Sequence, residues 1–94
     1  MPKVILEGYI VVPDSDMEKV SNELPVHIDL TKNEEGCLIF NVAQDEVVKN
    51  KFHVYEEFTD QEAFSAHQDR VRNSIWGTVT KDVERFYEIT ELDE

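Results

Sequence analysis

Cysteine, glycine and proline are scarce in this chain: one, three and three among 94 residues. A lone Cys37 cannot close an internal disulfide, so the fold rests on burial, and a reducing, cytoplasmic setting is the expectation. Three glycines form no Gly-x-Gly-x-x-Gly or phosphate loop, and no βαβ dinucleotide unit surrounds them, so no tightly held nicotinamide or flavin is expected. Cations are few as well: 9 Lys and Arg stand against 21 Asp and Glu, a formal net charge of −12. Phosphate backbones are gripped by clustered cations, which excludes nucleic acid as a partner. The same field repels anionic lipid and slows the approach of anionic substrates, so a neutral or apolar ligand fits better. Long apolar runs are also missing. None approaches the ~18 to 20 residues of a membrane span, and the stretch 4–12 is interrupted by Glu7 and Gly8 with no small-residue cleavage site after it. It reads as a strand rather than a signal peptide, and no membrane association is expected.

What is present suits one globular core: 40% of the residues are hydrophobic, and residues 1–94 are expected to form a single domain. So short a chain leaves much of its surface exposed, and covering one sheet face by self-association would add burial. A homodimer is therefore expected.

Along the chain, β-branched and aromatic residues make 4–12 a first strand, ended by Pro13, Asp14, Ser15 and Asp16. Ser15 and Glu18 have capping-box spacing, and Met17, Val20, Leu24 and Ile28 recur at helical intervals. Pro25 falls inside that pattern, which predicts a kink or two short helices, the second over about 26–33. Gly36 supplies a stop. Residues 37–44 then alternate as a second strand, and a polar link over 45–50 leads to a third over 52–58, so the two form an antiparallel hairpin. Thr59 and Glu62 repeat the capping-box spacing, and Ala63, Phe64, His67, Val71 and Ile75 mark one helical face, with Gly77 separating that helix from a further turn. Period two returns over 83–90 as a fourth strand, and residues 92–94 make an acidic end. The order strand, helix, strand, strand, helix, strand is the ferredoxin-like α+β pattern, βαββαβ with an antiparallel sheet. Apolar residues on both faces of strands two and three suggest that a second sheet covers the face away from the helices.

Three polar residues fall on apolar faces. His67 lies on the second helix's stripe, where a buried imidazolium is costly. Glu56 shares a strand face with Phe52, Val54 and Phe58. If that face meets the helix, the two can pair, with burial shifting both toward a useful acid or base range; a structural hydrogen bond is the alternative. His27, at helical spacing from Val20 and Leu24, approaches the same space from the first helix, unless it is a surface or capping histidine. His67 is the preferred base or proton relay, Glu56 its orienting partner and His27 the second candidate. Phe64 and Val71 on the His67 stripe and Trp76 beyond it are candidate substrate contacts, while Tyr55, which shares the opposite face of its strand with His53, either lines a dimer interface with it or contacts the substrate from a pocket edge. His53 and Glu56 point to opposite strand faces and no His-x-x-x-His pattern occurs, so no metal site is expected. Cys37 reads as a small core residue.

The run Phe52-His53-Val54-Tyr55-Glu56-Glu57-Phe58-Thr59-Asp60, followed by Ala63-Phe64 and His67, resembles the hallmark of the antibiotic biosynthesis monooxygenase family, and Gly36-Cys37-Leu38 matches the opening of its second strand. The resemblance implies a dimeric α+β barrel. It also implies one of several activities: oxygenation of quinols or polycyclic phenols without metal or flavin, haem degradation, or isomerisation of a phosphorylated signal molecule. The haem-degrading branch resembles an Asn, Trp and His set, and the matching positions here are Gly8, His67 and Gly77, so the whole set is absent. The negative charge and scarcity of arginine weigh against the isomerase. The expectation is a cofactor-independent monooxygenase acting on a small aromatic or quinol-like molecule with O2; the alternative is a non-catalytic dimeric module that binds such a ligand.

Overall fold

Period-two patterning becomes four strands: β1 (Lys3–Val11), β2 (Cys37–Gln44), β3 (Lys51–Phe58) and β4 (Glu84–Leu92). Between them run α1 (Met17–Lys32), α2 (Gln61–Arg72) and the short α3 (Ile75–Val79), with a 3-10 turn at Asp14–Asp16 leading into α1. The computed structural model describes residues 2–92; Asp93 and Glu94 of the acidic end lie outside the described residues. The strands form one sheet in the order β2-β3-β1-β4 with every neighbouring pair antiparallel. This is the ferredoxin-like βαββαβ arrangement. No helix among the described residues is long and apolar enough to cross a membrane.

The register separates the two sheet faces. Toward the helices point Val4, Leu6 and Ile10 of β1 and Phe52, Val54, Glu56 and Phe58 of β3, all buried. With Val20, Phe64, Trp76 and Val83 the apolar members make the core. Away from the helices β3 presents Lys51, His53, Tyr55 and Glu57, which corrects the expectation of an apolar outer face on that strand. On β2 the expectation holds, since Ile39 and Ala43 lie across from Glu57 and His53 on the outer face, and further apolar outer residues come from β1 and β4, where Tyr9 and Phe86 are cross-strand partners with stacked rings 4.9 Å apart.

Local signals were met with three differences. α1 runs unbroken through Pro25. Both Pro25 and Ser21, whose carbonyl loses its helical donor, are exposed, so that loss falls on the solvent side of the helix, while Val20, His27 and Thr31 are buried on either side of the proline. Packing of that face overrides the local preference to break. Neither Ser15 nor Thr59 caps a helix. The N-cap of α1 is Asp16, which makes no side-chain capping bond but pairs with Lys19 at 3.0 Å, and α2 is capped by Asp60, whose Oδ1 accepts from the Ala63 amide at 2.8 Å. Finally, Gly77 lies inside α3. The break falls at Asn73 and Ser74, and Ser74 caps the Gly77 amide at 3.1 Å. A Cβ on Gly77 would stand 2.2 Å from the Val71 carbonyl oxygen, so the glycine lets α3 turn back onto the end of α2.

Candidate active site

The βαββαβ path brings α1, α2 and α3 over the same stretch of sheet, and a cavity of about 200 Å³ remains between them. His27 reaches it from α1, Glu56 from β3, His67 and Val71 from α2, and Trp76 from α3. Phe40, Leu6 and Val54 supply much of its apolar floor, while Arg85 and Tyr87 line it from β4. Five of the seven residues singled out by the sequence thus meet in one place. The other two do not. Phe64 is core, its ring packed edge-on against Phe58 with centroids 5.6 Å apart. Tyr55 sits on the outer sheet face, where its hydroxyl donates to Glu57 Oε2 at 2.6 Å.

His67 is 3% exposed, and its Nδ1 lies 2.7 Å from Glu34 Oε1. A carboxylate only accepts, so Nδ1 carries the hydrogen and Nε2 keeps its lone pair. That Nε2 stands 3.6 Å from Glu56 Oε1, too far for a hydrogen bond. The expected pairing of His67 with Glu56 is therefore replaced: Glu34 orients the ring, and Glu56 confronts its open nitrogen. Glu34 is itself held by Arg70 Nη2 at 3.0 Å, and the same nitrogen donates to Thr31 Oγ1 at 3.0 Å, whose hydroxyl donates to the His27 carbonyl at 2.8 Å. One network ties both histidine-bearing helices to the α1–β2 connection.

Glu34 was missed because it lies in Lys32-Asn33-Glu34-Glu35, a run that reads as solvated loop. Arg70 had a usable signal: it follows His67 by three residues, one helical turn along the same face. His27, 4% exposed, stacks on Trp76 with centroids 4.5 Å apart and planes 7° apart, and meets the Phe40 ring edge-on at 5.3 Å.

Burial sets the protonation pattern. Glu56, 6% exposed, is pushed up to about 8 by burial first and by the Glu34 charge second. His27 is pushed down to about 3 by burial, then by His67 and Arg70. His67 is lowered too, burial outweighing the upward pull of Glu34. Near neutral pH the carboxyl of Glu56 holds a proton and both imidazoles are uncharged. Glu56 Oε1 and His27 Nδ1 are buried with no hydrogen-bond partner among the described residues. Buried polar groups are nearly always paired, so two such atoms on residues that line one cavity, one from the helix side and one from the sheet side, suit a polar guest. No three His, Cys, Asp or Glu among the described residues are grouped to hold a metal ion.

The antibiotic biosynthesis monooxygenase family model matches residues 4–72, from β1 through α2. No curated protein matches the chain. Among solved structures, a protein of Nitrosomonas europaea provisionally described as an antibiotic biosynthesis monooxygenase superposes with a TM-score of 0.76 at 16% identity, over 99% of this chain and 89% of its own. A conserved Bacteroides thetaiotaomicron protein suggested to be an oxidoreductase gives 0.74 at 17% identity, covering 97% and 98%. A conserved protein of Methanosarcina mazei gives 0.69 at 19%, covering 97% and 91%. At these identities the likeness is one of fold.

Proposed function

The chain belongs to the antibiotic biosynthesis monooxygenase family, and from that premise we propose that it is a cofactor-independent monooxygenase that oxidises a quinol or other phenolic small molecule with O2 in the cavity between helices and sheet. The observation that carries this reading is the open Nε2 of His67, its ring fixed by Glu34 at Nδ1, on a residue that lines a cavity of mixed apolar and polar character. A phenol whose proton passes to Nε2 becomes an electron-rich anion that reduces O2 itself, forming a carbon–oxygen bond at a ring carbon. A positioned base of this kind contributes ~10² to 10⁴ in rate. The apolar share of the lining, which includes Leu6, Ile10, Phe40, Val54, Val71 and Trp76, limits the water that could reprotonate the anion. At about 200 Å³ the cavity suits a small ring system, since an apolar void of ~150 Å³ admits benzene. His27 is the second candidate base, and Trp76 and Val71 are the candidate contacts to the substrate ring.

Residues 1–94 are taken as one domain that works as a homodimer. Support for the dimer comes from β4, which is exposed along its whole length. Its helix-side Ile89 is 52% exposed and its outer Phe86 46%, so among the described residues neither face is fully covered.

Oxygen uptake with a panel of one- and two-ring quinols tests the reading. The wild-type protein is expected to consume O2 without added metal or flavin, and His67→Ala to lower turnover by ~10²-fold or more with the fold retained. Saturable binding of the same compounds without any uptake would instead make the chain a ligand-binding module.

A further inference from the structure

We propose that Glu56 is a second catalytic residue, the acid that protonates the oxygen released when the O–O bond of the oxygenated substrate breaks, and that His67 then returns a proton to it. The proposal rests on the monooxygenase reading above and assigns the step that follows oxygen addition.

Its basis is the placement of the Glu56 carboxyl. Leu6 and Phe40 flank it on the neighbouring strands, and Oε1 is buried with no hydrogen-bond partner among the described residues. The ionisable groups around it are His67 from α2, Glu34 from the α1–β2 connection, His27 from α1, Cys37 from β2, and Arg85 and Tyr87 from β4, while β1 and α3 contribute the apolar Leu6 and Trp76. None supplies a free cation. Arg85 spends Nη2 on the Thr80 carbonyl and hydroxyl at 3.0 and 3.2 Å and Nη1 on the Val83 carbonyl at 3.2 Å, and Arg70 is committed to Glu34 and Thr31. A buried carboxyl facing a second carboxylate and no cation keeps its proton, which agrees with its upward shift to about 8. The 3.6 Å gap to His67 Nε2 is wider than a hydrogen bond, so one substrate oxygen can lie against both groups.

The proton balance closes on this pair. His67 takes the phenolic proton, the ring anion bonds to O2, and His67 passes its proton to the distal oxygen, leaving a C–O–OH group on a carbon that still bears hydrogen. His67 then removes that hydrogen as a proton. The C–H electron pair becomes the second bond of a new carbonyl, the O–O bond breaks toward the distal oxygen, and Glu56 protonates it to give water. One atom of O2 stays in the product and one leaves as water, with all four electrons supplied by the substrate. Imidazolium and carboxylate finally exchange one proton across the gap, and both return to their starting state.

Glu56→Gln, an uncharged near-isostere, separates this role from packing. With a quinol that the wild-type protein oxidises, the variant is expected to turn over ~10²-fold more slowly and to release hydrogen peroxide, whereas wild type releases none. With the O–O bond intact the C–O bond breaks instead, the departing hydroperoxide anion takes up a proton, and the quinol loses its remaining hydroxyl proton to become the two-electron-oxidised quinone. Glu56→Asp, which retains an acid, should recover part of the rate. The infrared spectrum of the wild-type protein at pH 7 should show a protonated carboxyl band that Glu56→Gln lacks, a readout that needs no turnover. Turnover of Glu56→Gln within twofold of wild type and without peroxide overturns the role while leaving the monooxygenase reading standing. Absence of the carboxyl band in wild type overturns it even if the variant fails to fold. No oxygen uptake by wild type with any quinol overturns the monooxygenase reading itself and this role with it.

Discussion

At the scale of single residues, Glu56 and His27 tie stability to pH in opposite directions. Glu56 moves from 4.5 to about 8 on folding, so between those values the folded chain holds a proton that the unfolded chain has released, and stability falls as pH rises. His27 moves from 6.5 to about 3, so between those values the unfolded chain holds the extra proton and stability climbs with pH. The two offset each other where the windows overlap, from 4.5 to 6.5, and only the Glu56 decline remains above. The unfolding free energy from urea titration is expected to fall between pH 6.5 and 8, by up to about 2 kcal/mol at ~1.4 per unit, and Glu56→Gln should abolish that fall; an equal fall in the variant would show that Glu56 is ionised in the folded chain at neutral pH. Glu34→Gln probes the other side of His67. The amide can still accept from Nδ1 but no longer favours the imidazolium, so turnover is expected to drop about tenfold or more with KM little changed; an unaltered kcat would leave Glu34 a purely structural partner. Parity and helical spacing were enough to find Glu56, His67 and His27, because each polar side chain interrupts an apolar face. They were not enough to find Glu34, whose role depends on how a loop folds over α2, and they misassigned Phe64, since a helix stripe does not say which of its apolar members meets the core and which the cavity.

At the scale of elements, every strand was legible and the helix ends were not. Strand alternation is enforced by burial on one sheet face, and a one-residue slip would expose the whole set of Val4, Leu6 and Ile10. Helix ends depend on weaker, local choices. Asp60, one residue after the expected cap, is extended and can present its carboxylate to the Ala63 amide, and Asp60→Ala is expected to cost about 1 kcal/mol in chemical unfolding. α3 carries the stricter demand. Its Gly77 backs onto the Val71 carbonyl, and the 2.2 Å approach that a Cβ would make is to backbone, which cannot swing aside as a flexible side chain could. Gly77→Ala should therefore destabilise by about 2 kcal/mol or more despite alanine's better helix propensity. Because Trp76 stacks on His27 from the same short helix, the variant should also quench or shift the fluorescence of this lone tryptophan; a gain in stability with unchanged emission would mean that α3 can move away freely.

At the scale of the whole molecule, the outer sheet face and β4 decide assembly. The outer face is mixed: Tyr9 and Phe86 stack, Lys51 lies over the Tyr9 ring at 4.2 Å, and Lys3 pairs with Glu57 at 3.1 Å, while Glu7 stands directly across from Glu88. Neighbouring like charges of this sort are tolerated where solvent or a partner's cations reach them. The apolar part is too sparse to be a second core, yet Phe86, Ile89 and Leu92 leave β4 with exposed apolar side chains on both faces, and β4 also lines the cavity through Arg85 and Tyr87. A partner seated on β4 would cover those side chains beside two residues that line the cavity, Arg85 and Tyr87, so that assembly and the proposed activity are expected to be coupled. Opposing it, each chain carries a formal charge of −12, so two chains repel over distances that salt shortens from ~30 Å at 0.01 M to ~3 Å at 1 M. Dimer affinity is thus expected to rise with ionic strength, opposite to an interface held by ion pairs. Sedimentation at micromolar concentration should show a two-chain particle that dissociates on dilution more readily in low salt. Phe86→Glu, which adds another negative charge to the stacked outer row, should shift the equilibrium to single chains and lower turnover in step. A folded wild-type chain that sediments as a single copy at all salt concentrations would rule out the dimer, and full activity in a monomeric Phe86→Glu would separate the cavity from the partner.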